Sequence, residues 1–450
     1  MVAMRRRDFV AALGGAAAAP AAAPTKPNMI FILADDLGYG DLGCYGQKQI
    51  ATPNLDRMAA EGMKFSDAYA GSTVCAPSRC CLMTGLHTGH AKVRTNGAGP
   101  IGPGDLTVTE ILKSAGYRTA LYGKWSLGGI YTSGYPLDKG FDEWFGYFSQ
   151  SHAHEYYPEI LLDGRREVLI RGNFGEPTHK RSVYVHDLFT ERALKFIEQN
   201  SRNPYFLHLC YTIPHANNEL GRSTDNGMQV PSDAPYTNKD WPQTEKNFAA
   251  MITRMDAGVG RILAALKKSG QDKNTLVIFS SDNGPHREGG HNPEFFRSSG
   301  PLRGIKRDLY EGGIRVPFLA WWPGRIPPGS TNSQPVAFWD FLATAAELAG
   351  ARVPVPTDGI SIVPALMGRP LPEREFLYWE FHERRFTRAV RTGRWKGVMP
   401  GPDAKIELYD LQTDIAESRN VADAHPSLVD KMAHIMKTAR TPGPEAGKKG

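Results

Sequence analysis

Two stretches of this sequence run from apolar residues straight into hard oxygen donors. Residues 29–34 lead into Asp35-Asp36, and residues 276–280 lead through Ser281 into Asp282-Asn283-Gly284. Three carboxylates and an amide gathered in one place repel one another unless a cation sits among them. All-oxygen ligation suits Ca²⁺ or Mg²⁺, and mixed carboxylate and amide donors lean towards Ca²⁺. Basic residues stand at comparable points: Tyr122-Gly123-Lys124 and Thr212-Ile213-Pro214-His215 close other apolar runs, and Lys306 ends Leu302-Arg303-Gly304-Ile305-Lys306. A metal flanked by Lys and His suits a tetrahedral anionic substrate whose charge grows in the transition state. Each residue taken singly reads as a cap, a turn or a solvated charge; their common position at the ends of apolar runs is what carries the chemistry.

The remaining reactive group is Cys75, in Cys75-Ala76-Pro77-Ser78-Arg79-Cys80-Cys81-Leu82-Met83-Thr84-Gly85. Pro77 suits a helix start and Gly85 a helix end, which puts Cys75 at a helix N-terminus, where free amides and the dipole favour anions. A thiolate nucleophile of depressed pKa is one reading. Soft sulfur fits poorly beside a hard, oxygen-liganded metal, however, and an oxygen function at Cys75 removes the mismatch. The five cysteines, Cys44, Cys75, Cys80, Cys81 and Cys210, are odd in number and irregularly spaced. They form neither a disulfide framework nor a zinc pattern, and Cys80 and Cys81 read as small buried hydrophobes.

These groups need a sheet to hold them. The apolar runs at 29–34, 119–122, 205–211, 276–280 and 318–321 are continuous rather than alternating, as in strands buried on both faces of a parallel sheet. Between them lie helical patterns. One starts at Thr52-Pro53, another spans residues 185–197 with Arg192 as the only polar member of its face, and a third spans 248–266. This alternation predicts an α/β domain, a large mixed, mostly parallel sheet with helices on both faces, over residues 28–371. Ligands of such sheets bind outside the carboxyl ends of the strands, where the Asp pairs fall. Near Pro372 the texture changes to short strands at 376–381, 387–390, 395–399 and 406–411 and a helix over 427–438. This predicts a small antiparallel α+β subdomain, 372–440, followed by a disordered tail, 441–450.

Composition sets outer limits. With 450 residues, 41% hydrophobic and 22% charged, the chain is globular and exceeds one small core. A net charge of +6, with no Lys/Arg cluster interleaved with aromatics, is too weak for a nucleic-acid partner. Part of that charge belongs to residues 1–23, where Arg5-Arg6-Arg7-Asp8-Phe9-Val10 precedes an Ala-rich run and Ala21-Ala22-Ala23-Pro24. This has the layout of an export signal and is too short to span a bilayer. Arg6-Arg7-x-Phe9 resembles the twin-arginine pattern. An exported protein, periplasmic or extracellular and without stable membrane insertion, is expected.

Cys-x-Pro-Ser-Arg-x-x-x-x-Thr-Gly, starting at Cys75, resembles the signature of the formylglycine-dependent sulfatases of the alkaline phosphatase superfamily. The likeness extends to Asp35-Asp36, Gly123-Lys124-Trp125, Asp282-Asn283-Gly284, Glu311-Gly312-Gly313-x-Arg315-Val316-Pro317 and Trp322-Pro323-Gly324, in family order over roughly residues 28–440. The resemblance implies that a formylglycine-generating enzyme oxidises Cys75 to formylglycine. One hydroxyl of its hydrate attacks the sulfur of a sulfate ester, and loss of the second hydroxyl's proton releases sulfate. It further implies one Ca²⁺ per chain held by Asp35, Asp36, Asp282, Asn283 and the modified Cys75. Arg79 would support the diol, Lys124 and Lys306 would bind the sulfate oxygens, and His215 would serve the leaving alcohol.

One position departs from the family. Gly-Lys-Trp-His-Leu-Gly is usual, and this chain has Gly123-Lys124-Trp125-Ser126-Leu127-Gly128. Serine is too weak a base at neutral pH to replace imidazole; it can orient the diol, and His286 or His291, just beyond the metal ligands, could supply the missing ring. A phosphate or phosphonate ester hydrolase on the same scaffold is the chief alternative, and a non-catalytic sulfoglycan-binding protein the second. Substrate choice falls to the loops at 129–136, 151–158 and 217–240, where Tyr156, Tyr157 and Trp241 could stack on sugar rings and favour a glycan sulfate over an aryl sulfate.

Overall fold

The computed structural model describes residues 26–383 and 385–442, so the expected export signal at 1–23 and residues 443–450 of the expected tail lie outside it. Strands β1 Asn28–Asp35, β2 Met63–Phe65, β3 Ala68–Tyr69, β4 Arg118–Gly123, β5 Glu143–Gly146, β6 Ile160–Asp163, β7 Arg166–Leu169, β8 Tyr205–Pro214, β9 Thr275–Ser281, β10 Phe318–Trp321 and β11 Ser330–Asn332 supply the main sheet, except for β3. That sheet has ten strands in the order β11-β2-β10-β9-β1-β8-β4-β5-β6-β7. Its middle, β9-β1-β8-β4-β5, is parallel. All eight residues of β1 are buried, which is why its sequence shows no alternation.

Successive β1 side chains point to opposite faces. Phe31 and Leu33 join one core with helices α2 Cys75–Thr84, α3 Val108–Ser114 and α8 Asp340–Ala349, and Ile30 and Ile32 join the other with α1 Pro53–Glu61, α4 Val185–Gln199 and α6 Gln243–Lys268. Arg192, the polar member of the α4 face, lies over the Phe145 ring at 4.4 Å and bonds Asp163 at 2.6 Å. The short helices α5 Asn218–Thr224, α7 Glu311–Ile314 and α9 Val363–Leu366 lie in the connections.

One strand runs against expectation. β10 is antiparallel to both neighbours, β9 and β2. After β9 the chain has only the single turn α7 and no helix long enough to return it to the far edge, so it re-enters the sheet from the edge it left.

The strands β12 Val336–Ala337 and β3 pair apart from the main sheet, and β13 Leu377–Phe381, β14 Thr387–Thr392, β15 Trp395–Met399 and β16 Glu407–Asp410 form a four-stranded antiparallel sheet. One side of that sheet packs on α10 Pro426–Thr438 through Met432, Ile435 and Met436. Its other side belongs to the main core through Leu377, Trp379 and Phe381. A buried ionic clamp closes the seam: Lys396 Nζ lies 2.8 Å from Glu311 and 3.0 Å from Glu417, Tyr69 Oη donates to Glu311 at 2.7 Å, and Arg391 pairs with Asp67 at 2.7 Å.

Candidate active site

Helix α2 presents the central residue. Gly85 ends it in the left-handed conformation, φ 71°, with its N–H bonded to Cys81 O at 3.0 Å, and all ten residues of the helix are buried. Four residues separate Cys75 from Arg79, so both lie on one helix face. Arg79 donates through Nε and Nη2 to Asp282 Oδ2 at 2.9 and 2.8 Å and through Nη1 to Lys124 O at 2.7 Å. One guanidinium thereby ties α2 to the carboxyl ends of β9 and β4.

The two aspartates after β1 divide their work. Asp35 Oδ1 lies 3.2 Å from Cys75 Sγ, and its Oδ2 accepts from Lys124 Nζ at 2.6 Å. Asp36 adopts φ 65°, a left-handed turn that Asp tolerates better than most residues, and its N–H bonds Asp282 Oδ1 at 3.1 Å. Its carboxylate accepts from Asn283 Nδ2 at 2.7 Å and from Lys306 Nζ at 2.7 Å. His215 donates through Nδ1 to Ala216 O at 2.7 Å, which leaves Nε2 an acceptor 3.3 Å from Lys306 Nζ.

Burial, with Asp282 and Asp35 adding to it, pushes the Cys75 thiol well up, so unmodified sulfur stays protonated and unreactive at neutral pH. Burial and the Lys306 cation push His215 down to about 3, so its ring is neutral. Burial, followed by the Asp35 charge, lifts Asp282 to about 7. Burial would raise Asp35 too, but Lys124 and the other nearby cations outweigh it and the carboxyl stays ionised.

The donor set fits a divalent cation. Ligand atoms of Asp35, Asp36, Cys75 and His215 lie within 4.8 Å of one another. Asn283 commits Nδ2 to Asp36 and Gly284, and its buried Oδ1 has no hydrogen-bond partner. An orphaned amide oxygen among ionised carboxylates is costly unless a cation takes it. Cys75, Arg79, Lys124, His215, Lys306, Asp35, Asp36, Asp282 and Asn283 are thus brought together. Ser126 joins them at the rim of an adjoining cavity of about 250 Å³ that Ala76, Trp125, Tyr147 and Gln150 also line. Its Oγ is buried without a partner, at φ 71°.

His286 is not placed to act as the base, and His291 keeps a buried Nε2 with no hydrogen-bond partner. His286 Nε2 is 3.0 Å from Pro214 O and its Nδ1 accepts from Glu288 N at 3.0 Å, so backbone consumes both nitrogens. His291 is held by Glu245 at 2.8 Å and stacked on Phe248 at 3.7 Å. The loop aromatics are also committed. Tyr156 and Tyr157 are buried, and Trp241 stacks on Tyr236 at 5.4 Å with Phe296 at its edge.

Two residues enter that sequence reasoning passed over. Glu288 bonds Lys306 at 3.1 Å and Arg307 at 2.7 Å, completing the charge balance behind Asp36. His154 stacks on His215, centroids 4.8 Å apart and planes within 15°. Both sit in loops, where no periodicity marks them.

Residues 27–351 match the family described as sulfatase, and residues 305–441 match the C-terminal family of N-sulphoglucosamine sulphohydrolase. The chain belongs to the sulfatase family. It is 33% identical to N-acetylgalactosamine-6-sulfatase of Canis lupus familiaris, over 96% of this chain and 83% of that protein. It is also 33% identical to human arylsulfatase A, over 93% of this chain and 89% of that protein. The crystal structure of Ps i-CgsB in complex with k-i-k-neocarrahexaose superposes with a TM-score of 0.79 at 30% identity, covering 92% of this chain and 93% of that one. The sulfatase is therefore a sulfuric ester hydrolase, which decides against a pure binding protein. Use of formylglycine and a divalent metal is general to the family, and the buried acidic cluster has the ligands for such a metal.

Proposed function

We propose that this sulfatase removes sulfate from a sulfated sugar through a formylglycine made from Cys75, with Ca²⁺ held by Asp35, Asp36, Asp282 and Asn283. The observation that carries the reading is the setting of Cys75: a buried, protonated thiol at a helix N-terminus, 3.2 Å from Asp35 Oδ1 among oxygen donors. A thiol serves no purpose there; an oxygen nucleophile does. Arg79 and Lys124 fix its surroundings, Lys124 and Lys306 bind the sulfate oxygens, and His215 serves the leaving alcohol once its Nε2, an acceptor in the neutral ring, carries a proton. The cation supplies positive charge against the sulfate oxygens and keeps the nucleophile ionisable.

A sugar substrate is supported by relatives named N-acetylgalactosamine-6-sulfatase and N-acetylgalactosamine-6-O-sulfatase and by a neighbour in complex with k-i-k-neocarrahexaose. Conversion of Cys75 calls for a formylglycine-generating enzyme in the same cell, and the Arg-rich N-terminal segment supports export to the periplasm or beyond.

Protein made with and without such a modifying enzyme should be offered 6-sulfated N-acetylgalactosamine, an aryl sulfate and a phosphate diester, with released anion measured. Sulfate release from the sugar by modified protein alone is expected. Preference for the phosphate diester, or full activity with only unmodified Cys75 in the peptide mass spectrum, would overturn the reading.

A further inference from the structure

Ser126 leaves this site a hydroxyl where the family resemblance places an imidazole; of the two histidines suggested by sequence, His286 has both nitrogens bonded to backbone and His291 is stacked on Phe248. We propose that His154, oriented by Glu219, is the base that takes the proton for sulfate release; this rests on the sulfatase reading above.

The geometry starts from the loop. His154 closes the single turn His152–His154, and His152 Nδ1 anchors that turn by accepting from Phe148 N at 3.1 Å. Just beyond, the buried Tyr156 Oη bonds Thr212 O at 2.9 Å and also His215 O. The loop is thereby fastened to the end of β8 that carries His215, and the two rings stack as one unit. Lys124 and Asp35 lie within electrostatic range of the His154 ring. The stacking on His215 thus sets His154 beside the site, and 14% of its side chain is exposed.

The ring's polarity follows from its partner. Nδ1 lies 3.1 Å from Glu219 Oε2, and a carboxylate only accepts, so Nδ1 carries the hydrogen and Nε2 carries the lone pair. Among the described residues Nε2 has no hydrogen-bond partner. Glu219 is placed by α5, whose first turn is capped by Asn217 Oδ1 accepting from Leu220 N at 3.0 Å. An imidazole with one nitrogen held by a carboxylate and the other open is the general design of an enzymatic base. His286 looks different, since it bonds backbone through both nitrogens; His291 shares the pattern, with Nδ1 on Glu245 and Nε2 open, but its ring is stacked on Phe248 of α6, whereas that of His154 is stacked on His215 of the site. Glu219 is a positioning residue.

The step balances without a further reactant. Once the ester oxygen has left as alcohol, residue 75 carries sulfate on one oxygen and a hydroxyl on the other. Nε2 takes the hydroxyl proton, the O–H electron pair forms the carbonyl, and the carbon–oxygen bond to sulfate breaks with its pair leaving on sulfate. The proton then passes from Nε2 to solvent, restoring the neutral ring.

The test uses His154→Gln and Glu219→Gln on fully modified protein. His154→Gln should keep the first burst of alcohol while its steady state falls by about 10²-fold or more. Quenched samples should show the residue-75 peptide carrying sulfate. Added imidazole should restore turnover to His154→Ala, and Ser126→His should partly restore His154→Gln. Nitrogen NMR of unmodified, metal-free protein gives a readout independent of turnover. It should show Nδ1 protonated and Nε2 bare in the wild type, with that preference lost in Glu219→Gln. Normal steady-state turnover of His154→Gln, or slow turnover with no sulfated peptide and no imidazole rescue, overturns the proposal. Modified wild-type protein that releases sulfate from no ester would instead overturn the sulfatase reading beneath it.

Discussion

At the carboxyl ends of β1 and β9, Asp35, Asp36 and Asp282 are buried with Arg79, Lys124 and Lys306; at the seam with the small sheet, Asp67, Glu311 and Glu417 are buried with Arg315, Arg391 and Lys396. The two groups look alike in charge and depth. They differ in where the charges point. In the seam, partners from opposite sides of a junction face each other: Lys396 of β15 meets Glu311 of α7, and Arg391 of β14 meets Asp67. In the site, groups from β1, β4, β9 and α2 converge on one spot, which holds Cys75 Sγ and the orphaned Asn283 Oδ1. Buried charge alone thus marks neither chemistry nor architecture. In the seam even Glu417 Oε1, which accepts no hydrogen bond, faces a cation of the cluster, Lys396 Nζ at 3.0 Å; a cluster that neutralises its own acceptors joins elements, and one that leaves an acceptor facing no cation takes a ligand.

Substitutions should separate the two. The largest effect is expected from Cys75→Ala, which should remove turnover by at least about 10⁴-fold while thermal unfolding stays near wild type, since one sulfur atom is lost from the core. Turnover and melting temperature, measured on one preparation, check this. Chelation comes next: dialysis against a strong chelator should abolish activity and lower stability by about 4 kcal/mol relative to protein with metal at a thousand times its Kd. Added Ca²⁺ should return both, and indifference of the melting curve to metal would break the distinction between the clusters.

Lys396→Met addresses the seam. It leaves Glu311 and Glu417 buried without their shared cation and should cost about 3–5 kcal/mol in denaturant unfolding, with kcat of the folded fraction unchanged. A selective loss of kcat would show the seam to be part of the chemistry. The smallest effect is one of pH. Burial holds His186 and His208 neutral, with pKa near 3 against 6.5 in the unfolded chain. Below 6.5 the unfolded chain binds protons that the folded chain refuses. Stability contributed by these rings is therefore whole above pH 6.5 and declines as pH falls towards 3, by at most about 1.4 kcal/mol per pH unit for each. His186→Phe should flatten that decline in urea titrations at pH 5, without moving the behaviour of the active-site cluster.

Much of the scaffold was readable because of how buried parallel strands are written. The runs before Asp35 and Asp282 carry no alternation and stop at turn-forming acids, so strand, edge and metal donors come from one pattern. The Cys75 to Gly85 segment was legible for a similar reason, since helix start, helix stop and reactive residue lie within eleven positions. What escaped is what depends on distant partners. The reversed direction of β10 is set by the absence of a returning helix, and the Glu311 motif matched a family pattern without revealing that its carboxylate binds Lys396 eighty-five positions away. His286 looked available because sequence does not show the Pro214 carbonyl and Glu288 N–H that occupy its nitrogens, nor does it show the Phe248 ring stacked on His291. His154 gave no signal, being one polar residue in a loop whose value comes from Glu219 and His215.

The complete burial of α2 also imposes an order in time. Cys75 is only 1% exposed in the folded chain, as the first residue of a helix with no residue at the surface. No second enzyme could close its own active site around that sulfur without first extracting the helix from the core. Under the proposed modification, oxidation of Cys75 would therefore precede the docking of α2, on a chain still open at that segment. The fraction of molecules able to turn over would then be set by a race between the modifying reaction and collapse, and a variant that folds faster could, at unchanged stability, yield a less active preparation.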